Sequence, residues 1–135
     1  MSKSVIYTAN NSSQNVAVNG TINPGTVIRR YGSCLGLSGN AIQVNGEGYY
    51  DIDASFTLAP TAAGNVTVTT YFNNVAVPGA TVTASTSTAN NPVNVSISSV
   101  VRQNCRCCEG VSSLTFVLTG TAANVTNSAI VVEKL

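Results

Sequence analysis

The sequence predicts an all-β domain, a two-sheet antiparallel jelly-roll sandwich of about eight to ten strands. Three observations predict it: many β-branched residues, short runs in which apolar residues alternate, and turn residues between those runs. Hydrophobic residues make up 44% of the chain and charged residues only 8%, where about 25% charged residues is typical of a soluble domain. The 135 residues are predicted to form a single domain, 1–135.

The first third of the chain reads as short strands joined by tight turns. Asn19-Gly20 is a two-residue hairpin signal between two apolar runs. Strands are predicted over 26–31 and 41–44, and the glycine- and serine-rich stretch 32–40 between them is predicted to be a loop.

The clearest strand runs from residue 49 to residue 58. Its apolar and polar residues alternate with a period of two, so one face is predicted to lie in the core and the other at the surface. The core face comprises Tyr50, Ile52, Ala54, Phe56 and Leu58, and the outer face comprises Tyr49, Asp51, Asp53, Ser55 and Thr57.

Further strands are predicted over 66–72, 93–101 and 114–118. Asn73-Asn74 is predicted to form a hairpin, and Pro78-Gly79 to break the strand that follows it. The last strand is predicted over 125–135, and its run 129–132 is apolar on both faces. Such a strand is usually buried on both sides, so it is predicted to pack inside the domain and against a neighbouring subunit.

Charge and composition exclude several classes of function. The net charge is +1, so no basic field attracts nucleic acid or an anionic membrane. The chain has no histidine, which removes the commonest general base and the nucleophilic triads that need one. We therefore predict that the protein is not an enzyme and has no cofactor. No apolar run has the length of a signal peptide or membrane span, so synthesis in a cytoplasm is expected.

Four cysteines are the unusual feature: Cys34, Cys105, Cys107 and Cys108. One interpretation is a disulfide from Cys34 to one of the other three, because a bond between adjacent cysteines strains the geometry. A second is a Zn²⁺ site, although the C-x-C-C spacing departs from the usual C-x₂₋₄-C pairs. The third is reduced thiols in a loop, as a cytosolic origin favours.

Asp51 and Asp53 lie two residues apart on the predicted central strand, so both carboxylates point the same way. Such a pair can bind a cation such as Ca²⁺ through its oxygens. The alternative is simply the polar outer face of a strand, and we favour that interpretation.

Several segments resemble the C1q and tumour-necrosis-factor superfamily. GYYDIDAS (48–55) looks like its central strand, opened by a glycine and an aromatic residue and preceded by the short apolar segment AIQV (41–44). YFNNVAVPGA (71–80) resembles a hairpin of bacterial members, which include exosporium filament proteins and bacteriophage fibre domains. The final residues, 129–135, resemble the family's last strand.

The resemblance implies a C1q/TNF-like jelly roll that forms a homotrimer, with Tyr49, Tyr71, Ile130 and Val132 as candidates for its interface or core. The stalk of collagen-like repeats found in spore-filament members is absent, which favours a small virion protein. We therefore expect a bacteriophage capsid decoration or head-fibre protein on the virion surface, made in the host cytoplasm. Its expected partners are its own copies and the major capsid protein or another virion protein.

The alternative is a C1q-like binding module of a spore or cell surface that recognises a glycan or a protein. Its candidate contacts are Tyr49, Tyr71 and the polar loop 86–91, because loops on a rigid scaffold often carry binding.

Overall fold

The computed structural model describes residues 4–103 and 112–135. Two antiparallel sheets face each other in a jelly-roll sandwich, as predicted. No helix of the described chain has the length and apolar character that a membrane span needs. The described strands are β1 Val5–Asn10, β2 Gln14–Val16, β3 Thr26–Tyr31, β4 Leu35–Ser38, β5 Ala41–Val44, β6 Gly48–Pro60, β7 Gly64–Phe72, β8 Val75–Thr86, β9 Val93–Gln103, β10 Ser112–Gly120 and β11 Ala123–Lys134.

Sheet A has the strand order β3-β1-β11-β6-β9, with β2 also paired to β11. Sheet B has the order β4-β5-β10-β7-β8. Because β11 lies between β1 and β6, the final strand occupies the centre of sheet A. The inner faces of the two sheets meet to form one hydrophobic core.

Strand β6 shows how the alternation in the sequence builds this core. Tyr50, Ile52 and Leu58 are fully buried, and Ala54 and Phe56 nearly so, which confirms the predicted core face. Across the sandwich, Phe56 of sheet A meets Phe116 of sheet B with ring centroids 5.4 Å apart and a tilted geometry. Tilted aromatic pairs of this kind contribute stability beyond the area they bury.

The prediction that 32–40 is a loop is wrong in its second half. Strand β4 (Leu35–Ser38) forms there and pairs with β5, turning back at Gly39. The fully buried Leu35 anchors this strand in the core, and Gly39 takes the positive φ of 60° that the turn needs. The sequence did not predict this strand, because its glycine and serine residues weaken the alternation of apolar and polar residues.

Two turn predictions also differ from the structure. The backbone does turn at Asn19-Gly20, where the amide of Gly20 donates to the carbonyl of Ala17, but the segment that follows pairs with β10 instead of folding back as a hairpin. Strand β8 runs through Pro78-Gly79 instead of ending there. A bulge opposite β7 absorbs the proline, because the register shifts between Thr69 and Tyr71. The hairpin at Asn73-Asn74 is confirmed by positive φ angles at both residues.

Gly120 at the end of β10 offers a test of backbone fit. Its φ is +88°, and a Cβ placed there would lie 2.5 Å from the backbone oxygen of Asn65. We expect Gly120→Ala to lower the free energy of unfolding by more than about 1 kcal/mol, through strain and steric overlap. Gly36→Ala is the control, because a Cβ at Gly36 meets nothing within 4 Å. Urea denaturation of both variants measures the difference, and equal stabilities would contradict the expectation.

Candidate functional site: the outer face of sheet A

Charge is distributed unequally between the two sheets. None of the five strands of sheet B contains a charged residue. Sheet A carries seven on its strands β3, β6, β9 and β11: Arg29, Arg30, Asp51, Asp53, Arg102, Glu133 and Lys134. The two faces of the molecule therefore differ in the partners they can accept, since charge complementarity selects among partners.

The register places the outward side chains of sheet A in rows. One row runs from Arg29 through Tyr7, Val131 and Asp53 to Ser98. The next row contains only small or short side chains: Thr26, Ala9, Ala129, Ser55 and Ser96. The small residues leave a shallow groove of about 340 Å³ over β6, β9 and β11. A face of this shape can receive larger side chains of a partner.

Three carboxylates gather beside the groove; we call Asp51, Asp53 and Glu133 the acidic patch. Glu133 stands directly opposite Asp51 in the β6–β11 ladder, and Asp53 follows on the same face. Asp53 accepts a hydrogen bond of 2.9 Å from the hydroxyl of Ser98. Within residues 4–103 and 112–135, no group of three or more metal-ligating side chains is arranged to hold a metal ion. The outward orientation of Asp51 and Asp53 fits both interpretations of the pair, which remain predictions.

The structure separates the four residues predicted for interface or core. Ile130 and Val132 are completely buried inside the domain, so neither can contact a neighbouring copy. Their neighbours Ala129 and Val131 point outward from the same strand, and both are half-buried. The sequence did not distinguish the two faces of β11, because all four side chains are apolar. The two faces of β11 are set by its pairing with β1 and β6 in the middle of sheet A.

The two tyrosines lie on opposite sides of the molecule. Tyr49 is 52% exposed on the outer face of sheet A, where the guanidinium of Arg102 lies 4.9 Å from its ring centre. Tyr71 is half-buried on the outer face of sheet B, opposite Thr115. They cannot form one binding site together.

Sheet B presents an outer face rich in threonine. The hydroxyls of Thr67 and Thr83 are 2.9 Å apart across β7 and β8, and Thr81 donates to Thr69 at 3.4 Å. Cross-strand pairs of this kind stabilise a sheet. The hydroxyls thus satisfy one another, which is consistent with a face that stabilises the fold.

Cys34 is the one cysteine among the described residues, and it has no disulfide partner there. Its sulfur lies 4.0 Å from the Lys134 ammonium nitrogen and close to Gly46, where an added Cβ would approach it to 2.9 Å. Cys105, Cys107 and Cys108 lie outside the described residues. The disulfide and zinc interpretations therefore remain predictions.

Tyr50, a buried residue of β6, lies beside Cys34 and Gly46. Its hydroxyl donates a 2.7 Å hydrogen bond to the carbonyl of Gly46. Burial first, and then the neighbouring Cys34, raises the pKa of the Tyr50 phenol above its ordinary value of about 10. The phenol is therefore held in its neutral, donating form.

This pKa shift predicts a pH dependence. The unfolded chain loses the Tyr50 proton at about pH 10 and the folded chain only at higher pH. The stabilisation is thus fully present below about pH 10 and is lost as the pH rises above it. We expect the Tm of the wild type to fall more steeply than that of Tyr50→Phe between about pH 9.5 and 11. Tyr49→Phe, at an exposed position, is the control and should follow the wild type; a wild-type slope shared by Tyr50→Phe would contradict the expectation.

Comparison with known proteins identifies the type of fold. No protein-family model matches the sequence, and no curated protein matches it. Solved structures do match over nearly the whole chain. The Eiger TNF of S. frugiperda superposes with a TM-score of 0.69 at 11% identity, covering 98% of this chain and 91% of that one. Vertex protein P5 of phage PRD1 gives 0.64 at 14%, covering 98% and 96%.

The globular domain of zebrafish complement 1qA gives a TM-score of 0.64 at 8% identity, covering 97% of this chain and 95% of that chain. The protein therefore has the C1q/TNF-like jelly-roll fold. At these identities the likeness concerns the fold alone, because one fold hosts many functions.

Proposed function

We propose that the protein is a non-enzymatic structural protein of a bacteriophage particle, a capsid decoration or head-fibre protein that assembles as a homotrimer. The observation that carries the proposal is the outer face of sheet A, where a groove of small side chains, half-buried apolar residues and charged side chains of both signs occur together. The fold likeness to a phage vertex protein over nearly the full length of both chains supports the particle assignment.

Self-association follows from the shape and polarity of that face. Tyr7, Ala129 and Val131 form a continuous apolar strip across β1 and β11. Apolar strips at the centre of a surface patch, rimmed by polar groups, are typical of subunit interfaces. The resemblance to a trimer-forming family favours a closed ring of three copies, which would cover the strip in every copy.

The particle surface is the proposed location, and the protein would be made in the host cytoplasm. Its partners would be its own copies together with the major capsid protein or another virion protein. The absence of histidine from the sequence supports a role without catalysis.

The trimer is tested by placing a charge on the strip. We expect wild-type protein to have three times the chain mass in light scattering. Val131→Lys should be monomeric, because burying an unpaired ammonium at an interface is costly. Val117→Lys, at a half-buried position on the outer face of sheet B, is the matched control and should remain trimeric. A monomeric wild type would overturn the trimer.

The particle assignment needs its own test. Purified virions from a host that carries the gene should contain the protein in a fixed ratio to the major capsid protein, measured by quantitative mass spectrometry. Its consistent absence from washed particles would overturn the assignment, whatever its oligomeric state.

The alternative, a surface module of a spore or cell that binds a glycan or a protein, is favoured by one observation. Tyr49 is an exposed aromatic ring flanked by Arg102, and exposed rings can stack on sugars. Selective binding on a glycan array, lost in Tyr49→Ala and retained in Tyr71→Ala, would favour this function over a purely structural one.

A further inference from the structure

We propose that the acidic patch of each copy binds Arg29 from the edge strand β3 of a neighbouring copy. The proposal rests on the self-association proposed above and names the contact that sets its geometry. It follows from like charges that form no ion pair with their neighbours among residues 4–103 and 112–135, on a face where small side chains leave space for a partner.

The acidic patch brings like charges together, and no ion pair within residues 4–103 and 112–135 neutralises them. Glu133 and Asp51 are like charges directly opposite each other in a ladder, an arrangement that destabilises a sheet. In the described part of the chain the ion pair between side chains is that of Arg102 with Glu47, at 3.9 Å. None of the three patch carboxylates takes part in it. A positive group from outside the chain would remove the repulsion.

Among the cations of the described residues, Arg29 is the one best placed to supply that group. It lies in β3, an edge strand whose six residues are all exposed, and its register partner Tyr7 shows that it points to the outer face of sheet A. Arg30 points the other way and is engaged, since its Nε donates to the carbonyl of Leu35 at 2.8 Å. Arg29 is thus a positive charge at the rim of the same face that carries the acidic patch.

Within one copy, Arg29 and Asp53 stand at opposite ends of a row that spans β3, β1, β11 and β6. Three strand spacings amount to about 14 Å, and no ion pair joins the two residues. In a ring of copies, each copy presents one patch to a different patch of the next. The β3 rim of one copy can then reach the acidic patch of its neighbour.

The apolar strip lies between the two charged ends of that row. Tyr7 and Val131 separate Arg29 from Asp53 along it, so a neighbour that covers the strip also excludes water from the charges. A guanidinium can bind a carboxylate through two parallel hydrogen bonds. An ion pair beside an apolar contact is screened less by salt than one in open solvent.

Charge reversal tests the contact. We expect Arg29→Glu and Asp53→Lys each to raise the dissociation constant for self-association about tenfold or more, and the double variant to recover most of the loss. Arg102→Glu, the same change on the opposite edge strand β9, is the matched control and should associate as the wild type does. Analytical ultracentrifugation measures the constants, and far-UV circular dichroism verifies that each variant is folded.

The outcomes are distinct. If the wild type is trimeric and Arg29→Glu associates equally well, the contact is wrong and the proposed trimer stands. If Arg102→Glu dissociates while Arg29→Glu does not, the β9 edge makes the contact and the inference is overturned. If the wild type is monomeric, both the contact and the proposed trimer are wrong. Failure of the double variant to recover would also count against direct pairing.

Discussion

Phe116→Ala is expected to lower the free energy of unfolding by about 3–5 kcal/mol. Phe116 is 2% exposed, and its ring meets Phe56 from the opposite sheet. Truncation removes this contact and leaves a cavity at the place where the two sheets are held together, because neighbouring side chains can relax only partly. A domain with a typical stability of about 5–15 kcal/mol would lose a large share of it.

The adjacent Val117 provides the control for this expectation. It belongs to the same strand but is only half-buried, on the outer face of sheet B, so Val117→Ala should cost about 1 kcal/mol or less. Urea denaturation followed by circular dichroism compares the two variants. Similar losses would mean that the interface between the sheets is not the main source of stability.

Reducing agent is expected to lower the free energy of unfolding of the oxidised protein by about 4 kcal/mol, since a disulfide from Cys34 to the C-x-C-C segment would close a loop of about 70 residues. The disulfide stays a prediction; the described residues on both sides of that segment contact Val44, which lies opposite the start of β4. Gln103 donates from its side chain to the carbonyl of Val44 at 3.0 Å, and Ser112 pairs with Val44 in the sheet. Val44 also pairs with Leu35, the residue after Cys34.

Chain length makes this pairing feasible. Each residue spans at most about 3.6 Å, and the cysteines at 105, 107 and 108 all lie within four residues of Gln103 or Ser112. Oxidation would transfer two hydrogen atoms from two thiols to an oxidant such as molecular oxygen. It would lower the mass by two units, and Cys34→Ser should abolish the effect of reductant on stability. Zinc found by native mass spectrometry would instead favour the thiolate site, and full alkylation of unreduced protein would favour free thiols.

The sequence predicted the fold wherever alternation was strong. Strand β6 could be read directly because its apolar and polar residues alternate almost without exception. Strand β4 was missed, because Gly36 and the glycines around it carry no pattern. The turn at Asn19 was predicted, but the pairing of the segment around it with β10 was not. That pairing joins residues far apart in the sequence, which a local pattern does not reveal.

The candidate site was less predictable than the fold, because it depends on the order of strands in sheet A. Asp51 and Asp53 were recognised as neighbours on one face, but Glu133 joins them only because β11 pairs with β6. Arg29 was not predicted to belong to the site. Its place at the rim of that face depends on the pairing of β3 with β1, which alternation within a strand does not specify.

The central position of β11 has a consequence for how the domain is made. Strands β1 and β6 pair with β11 on either side, so sheet A cannot close until β11, the last of the described strands, has left the ribosome. Closing pairs so distant in sequence is slow, because loop-closure entropy is lost before contacts form. Nascent chains would thus expose the edges of β1 and β6 throughout synthesis, and chaperone dependence during translation should be greatest for this part of the molecule.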